Sequence, residues 1–291
     1  PTYLSKNSKS NPGNINVLAG QSYTLREINK SAPDWMRLEI EPNELRWVSA
    51  ECGEADYRAQ APINCSDSNM ADSYVLALSS QQGFCETYGY EAGKPECMHL
   101  SSASYEAKHL TLHGLWPNKT TCGQRYGYCN VSAKANHCDY ATVNLSATVA
   151  NDLKHLMPSF SHGSCLERHE WNKHGSCQAR SADDYFAVAM RLAKETDQSA
   201  LGEFLREHKG DVVTLVALRQ AVANAFGKEN AHKIYLGCKN HVLVDIFIQL
   251  PANLNEGESI FSLVDKAPNN STLNTCSKRI TISNFDKDSW I

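Results

Sequence analysis

Two short segments of this 291-residue chain carry the residues best equipped for chemistry. They are Leu110-Thr111-Leu112-His113-Gly114-Leu115-Trp116-Pro117 and His169-Glu170-Trp171-Asn172-Lys173-His174-Gly175. Together they supply three imidazoles, a carboxylate and an ammonium. Histidine is the one side chain whose ordinary pKa lies inside the physiological range. A pair of histidines can therefore take up and release a proton within one reaction, with no metal ion.

Spacing shows how the second segment could present these groups. A helix turns by roughly 100° per residue. If 169–174 is helical, His169, Lys173, Glu170 and His174 fall at about 0°, 40°, 100° and 140° on one face. Trp171 lies beside them and Asn172 points elsewhere. Gly175 is placed to end the helix. A His-Glu pair on a helix also invites a zinc reading, but zinc-binding helices of that type hold histidines at i and i+4. Here the histidines stand at i and i+5, which suits two sides of a substrate better than one ion.

The first segment reads as a strand. Leu110 and Leu112 alternate with Thr111 and His113, the period of a half-buried strand. His113 then leaves the face opposite the leucines, and Gly114 lets another backbone come close. Trp116-Pro117 ends the strand and brings an indole beside the histidine. Taken alone, Trp116 and Trp171 are ordinary core residues. Next to two histidines, Trp116 is also a surface on which a nucleobase can stack.

The two segments, continued as His174-Gly175-Ser176-Cys177, resemble the two active-site signatures of the ribonuclease T2 family, in order and about 55 residues apart. Tyr74–Ser79 running into Gly83-Phe84-Cys85 resembles that family's first core strand and its following cysteine. Cys165-Leu166-Glu167-Arg168, and Gly227-Lys228-Glu229-Asn230 leading to Cys238, resemble the bacterial periplasmic branch. The resemblance covers about residues 70–285. Ser80 departs from it, because many relatives carry Trp there, in the strand that lines the substrate groove. Asn118 stands where several relatives have an acidic residue that contacts the base.

The resemblance implies a secreted or periplasmic endoribonuclease that needs no metal or other cofactor. It also implies a reaction in which the 2′-hydroxyl of RNA attacks the adjacent phosphate. A 2′,3′-cyclic phosphate forms and opens slowly to a 3′-phosphate. His113 is then the base and His174 the acid, although the sequence permits the reverse. His169 would hold a phosphate oxygen. Lys173 would offset the charge that develops on the phosphoryl group. Glu170 would orient the imidazoles, and Trp116 would stack on a base. The expected partner is single-stranded RNA, with no DNA, no membrane and a monomeric protein. Two alternatives stay open: a catalytically silent member that binds RNA or a protein partner, and a metal-dependent phosphohydrolase.

Composition fits a secreted enzyme. Eleven cysteines suggest disulfides and an oxidising compartment. No Cys-x-x-Cys pair occurs, so zinc is a weak reading. The resemblance implies Cys85–Cys97, Cys238–Cys276, and Cys177 bonded to a cysteine after the first signature. Proximity suggests Cys52–Cys65, which leaves the unpaired thiol among Cys122, Cys129, Cys138 and Cys165. The net charge of −4 excludes a protein that holds nucleic acid by bulk electrostatics. No apolar run approaches the ~20 residues of a membrane span. No apolar signal segment opens the chain, so Pro1 is expected to begin a processed form. Glycan acceptors occur at Asn64, Asn118, Asn130, Asn144 and Asn270; the bacterial resemblance implies that they stay unmodified.

These groups need a scaffold. The expected fold is α+β, a central antiparallel sheet flanked by helices, with a β-rich extension ahead of it. Residues 1–15 read as a mobile tail, 16–69 as the extension and 70–291 as the catalytic domain. Strands are expected at Gln21–Ile28, Trp35–Ile40 and Leu45–Val48 in the extension. In the core they fall at Tyr74–Ser79, His109–Trp116, Lys233–Gly237, Val242–Leu250 and Arg279–Ser283. Helices are expected at Leu145–Met157, Ala182–Glu195, Ala200–His208 and Leu215–Phe226. Ser181 and Asp184 form a capping-box start, and Gly227 a helix stop.

Overall fold

Alternation of apolar and polar residues builds two separate sheets. The computed structural model describes residues 1–30, 32–41, 44–55, 64–269 and 274–288; Asn270 lies outside them. The chain divides into two units, Pro1–Ile63 and Asn64–Ile291.

The first unit is a three-stranded antiparallel sheet of β1 (Thr24–Ile28), β2 (Trp35–Glu41) and β3 (Glu44–Ser49). Met36, Trp47 and Val48 supply its buried apolar side chains. Residues 1–15, expected to be a mobile tail, are hydrogen-bonded to this unit instead. Tyr3 and Trp47 exchange backbone hydrogen bonds of 2.8 and 2.7 Å, and the Thr2 N–H donates to the Ile15 carbonyl at 3.0 Å. The polar composition hid this, because backbone groups make the contact.

The second unit carries β4 (Ser73–Ser79), β5 (Thr111–Asn118), β6 (Val212–Thr214), β7 (Ile234–Lys239), β8 (Val242–Pro251) and β9 (Arg279–Thr281). Its helices are α1 (Gln81–Phe84), α2 (Pro95–Met98), α3 (Ala147–Leu156), α4 (Pro158–Ser161), α5 (Leu166–Lys173), α6 (Ala182–Asp197), α7 (Ala200–Glu207), α8 (Leu215–Phe226) and α9 (Ile260–Lys266). The sheet order is β5-β4-β8-β9-β6, and β7 also pairs with β8. Pairing is antiparallel except where β9 meets the start of β8 at Val242 and Thr281. The expected α+β class is therefore observed. The short β6, α9, α1, α2 and α4 were too brief to show a period.

One sheet face is the core. Leu76 and Leu78 of β4, Leu112 and Leu115 of β5, and Ile246 and Ile248 of β8 join Tyr185, Phe186 and Leu192 of α6 in one buried cluster. Truncating a leucine in such a cluster costs about 2–5 kcal/mol. Helix α6 starts where Ser181 Oγ accepts from the Asp184 N–H at 3.2 Å and donates to the Asp184 carboxylate at 2.7 Å. Helix α8 stops at Gly227, whose φ of 86° is costly for other residues.

The boundary between units falls earlier than the expected 69/70, because residues 64–70 belong with the large sheet. Cys65 bonds Cys122, the Asn69 N–H donates to the Cys177 carbonyl, and the Met70 N–H donates to the Tyr126 hydroxyl. This overturns the Cys52–Cys65 pairing: nearness in sequence lost to the docking of residue 65 on the catalytic unit. Cys52 is the free, exposed cysteine. All four cysteines expected to contain the odd thiol are paired, as Cys65–Cys122, Cys129–Cys177 and Cys138–Cys165. Cys85–Cys97 and Cys238–Cys276 are present as the resemblance implied.

Candidate active site

The site forms where β5 meets α5. Leu112 and Leu115 are both buried, yet they are three residues apart, a spacing that an even strand cannot place on one face. The strand solves this with a bulge. Leu78 pairs with Leu112 and Ala77 with Gly114, so His113 has no residue opposite it. Bulges redirect side chains, and this one turns His113 toward α5. The odd leucine spacing was the available signal. The strand also runs on past Trp116-Pro117 to Asn118, whose amide donates to Ser73 Oγ at 3.3 Å.

Helix α5 ends at Lys173 rather than at Gly175. His174 is its C-cap, and Gly175–Cys177 continue as a 3-10 turn. The His174 N–H still donates to the Glu170 carbonyl at 3.0 Å, so His169, Glu170, Lys173 and His174 share the expected face. Trp171 packs on the core, edge-on to Tyr185. The Cys129–Cys177 disulfide ties the 126–130 loop to this helix end, where the Tyr128 N–H donates to the Lys173 carbonyl at 2.8 Å.

Glu170 is the hub. Its carboxyl is buried, accepts a 2.7 Å hydrogen bond from Trp116 Nε1, and lies 3.7 Å from His113 Nε2. A side-chain carbon on residue 114 would come within 1.9 Å of its Oε2. Gly114 thus makes room for a side chain, where a backbone neighbour was expected. Trp116 stacks on His174 with centroids 5.2 Å apart and 22° between planes, and it also meets His113 edge-on at 5.3 Å. The indole is therefore held between protein groups, with Phe247 tilted against it at 5.4 Å.

The electrostatics follow from burial. Burial pushes the Glu170 carboxyl up to about 8, against the opposing pull of the Trp116 N–H and Lys173. Burial, then Lys173 and His137, lowers His113 to about 4. His169 falls to about 4 through burial, His137, Lys173 and His113. His174 is held well below the ordinary value by burial and then Lys173. Burial thus favours neutral imidazoles and a protonated Glu170 carboxyl. Among the described residues, nothing hydrogen-bonds the buried Nδ1 atoms of His169 and His174.

Sequence reasoning missed His137 and Tyr128. The His137 ring stacks on His169 at 4.0 Å and 23°, and Tyr128 meets His169 edge-on at 6.2 Å. The signal was Cys138: its bond to Cys165, four residues before His169, brings His137 alongside. Ser80, expected to line the substrate groove, lies just past β4 and caps α1, accepting from the Gly83 N–H at 3.3 Å.

Three imidazoles around a buried carboxyl and an ammonium, carried by a sheet edge and one helix, form a constellation able to do general acid–base chemistry. The sequence pattern of the ribonuclease T2 family matches residues 71–265, and the chain belongs to that family. It is an endoribonuclease. It is 33% identical over 203 residues to Ribonuclease I of Escherichia coli, covering 62% of this chain and 76% of the relative. It is 21% identical over 193 residues to intracellular ribonuclease LX of Solanum lycopersicum, covering 64% and 76%. Trichomaglin, a solved S-like ribonuclease, superposes with a TM-score of 0.52 at 17% identity, over 73% of this chain and 98% of that one. The SF11-RNase of Nicotiana alata does so with a TM-score of 0.50 at 18% identity, over 72% and 98%.

Proposed function

We propose that this enzyme cleaves single-stranded RNA without a metal, by transphosphorylation through the 2′-hydroxyl. The observation that carries the reading is the convergence of His113, His169 and His174 on Glu170 and Lys173. His113, neutral at pH 7, takes the 2′-proton as the oxygen attacks phosphorus. His174 gives a proton to the departing 5′-oxygen, and a 2′,3′-cyclic phosphate results. Water then opens the ring slowly, with the roles reversed, to a 3′-phosphate.

Burial favours the neutral form of His174 in the free site, so this imidazole gains its proton as substrate binds. A phosphodiester brings negative charge beside the imidazoles and raises their proton affinity. His169 donates to a phosphoryl oxygen, and Lys173 offsets the charge that grows in the transition state. Trp116 orients Glu170 and His174. It stacks on a base only through the part of its ring that His174 and Phe247 leave open. A monomer acting outside the cytoplasm fits the five disulfides. Among the described residues no helix is long and apolar enough to cross a membrane.

Digestion in excess chelator tests the reading. RNA should be cut to cyclic-phosphate ends, while DNA, which lacks the nucleophile, stays intact. Activity lost in chelator and restored by a divalent ion would refute it.

A further inference from the structure

We propose that His137 and Lys94 form a subsite for the phosphodiester next to the scissile one. The inference rests on the ribonuclease reading above and extends it to how the substrate strand is held.

His137 lies one imidazole further out than His169, face to face with it. Its place is enforced. The 3-10 turn His137–Asp139 is capped by the Asn136 side chain, which accepts from the Cys138 N–H. The Cys138–Cys165 bond ties that turn to the residue preceding α5. Arg168 of α5 donates to the Cys138 and Tyr140 carbonyls at 3.0 Å each. Such bracing is more than a solvent-facing loop histidine requires.

The ring nitrogens of His137 have no hydrogen-bond partner among the described residues, and its ring is only partly exposed. The neighbouring His169 Nδ1 is buried and also without a partner. Lys94, at the start of α2, lies close enough for its charge to lower the proton affinity of His137. Lys173 acts on the same ring from the catalytic side. The charges of two ammonium groups thus bear on a stack of two imidazoles, and burial pushes Glu170, the carboxyl beside its inner end, up toward its neutral form. A diester monoanion fits this setting. It accepts N–H donors from an imidazole, and it screens the two ammonium groups from each other.

Chain length tests this. A dinucleoside monophosphate contains the scissile phosphate alone, whereas a tetranucleotide offers phosphates on either side. In His137→Ala and in Lys94→Ala, kcat/KM should fall about tenfold further on the tetranucleotide than on the dinucleoside monophosphate, the scale of one hydrogen bond to a charged group. The extra loss should lie in KM and shrink as salt is raised. Equal losses on both substrates would overturn the subsite and make His137 a mere support for His169. No loss on either would overturn it too. If the unsubstituted enzyme cleaves neither substrate, the ribonuclease mechanism itself has failed and this subsite falls with it.

Discussion

The Glu170 carboxyl group stands where a side chain on residue 114 would be, with its Oε2 held by the Trp116 N–H. Gly114 and Glu170 are thus complementary halves of one contact. Gly114→Ala should force the carboxyl away and cost about 1–3 kcal/mol, as overpacking does. Turnover should fall more steeply than stability, because Glu170 and Trp116 move together. Melting curves and single-turnover rates on RNA measure both. A fully active Gly114→Ala enzyme would show that the contact does not hold the site.

The alkaline limb of kcat/KM should belong to Glu170, since this profile reports the free enzyme. Its carboxyl titrates near 8, and loss of that proton leaves none to pass on. Trp116→Phe removes an N–H that holds the carboxyl down, so the limb should move to higher pH. Glu170→Gln removes the titrating group, so the limb should move to lower pH. Profiles from pH 4 to pH 10 decide it; limbs moving in the same direction would contradict the assignment.

Stability should also depend on pH through the same groups. Glu170 titrates near 4.5 when unfolded and near 8 when folded. Its raised value means that stability is lost as pH rises through that window. His113 and His169 change from 6.5 unfolded to about 4 folded, so stability is lost as pH falls through that second window. The maximum should lie near pH 6.5. Glu170→Gln should abolish the alkaline decline and stabilise the protein at pH 9 by on the order of 5 kcal/mol at most. Urea titrations at pH 5, 6.5 and 9 give the comparison.

Lys173→Ala should lower kcat more than it raises KM. An ammonium set toward developing charge acts mainly in the transition state. A raised KM with kcat unchanged would mark Lys173 as a uniform binding group instead.

Replacing Cys129 and Cys177 together by Ser opens a loop spanning 48 residues. The expected loss is about 4 kcal/mol of stability. Tyr128 would no longer be fixed on the Lys173 carbonyl, so kcat should drop even well below the new melting temperature. Unchanged kcat at that temperature would show that the bridge braces the fold without positioning Lys173.

Long periodic elements and dense chemical motifs were legible in the sequence. Helix α8 was placed from its pattern and its Gly227 stop, and the shared face of His169, Glu170, Lys173 and His174 followed from helical geometry. The bulge at His113 leaves no mark on the Leu110/Leu112 alternation; only the odd spacing from Leu112 to Leu115 signals it. The sequence shows Trp116 as a surface on which a base can stack but not the hold of Glu170 on its N–H; a hydrogen bond across 54 residues leaves no trace in local spacing. His137 stayed hidden for the same reason, since only a disulfide between distant segments brings it to α5. Cys52 and Cys65 show the opposite error, in which sequence proximity suggested a bond that the fold does not make.

The disulfides nest: Cys85–Cys97 lies inside Cys65–Cys122, and Cys138–Cys165 inside Cys129–Cys177. A chain oxidised in the order its thiols emerge would join Cys52 to Cys65, Cys85 to Cys97, Cys122 to Cys129, Cys138 to Cys165 and Cys177 to Cys238. Only Cys85–Cys97 and Cys138–Cys165 of those are native. Cys52, free in the folded protein, would in that order capture Cys65 and displace Cys122. From that starting point the native set would be reached only by thiol–disulfide exchange, and the Cys129–Cys177 tie beside Lys173 would form only after it.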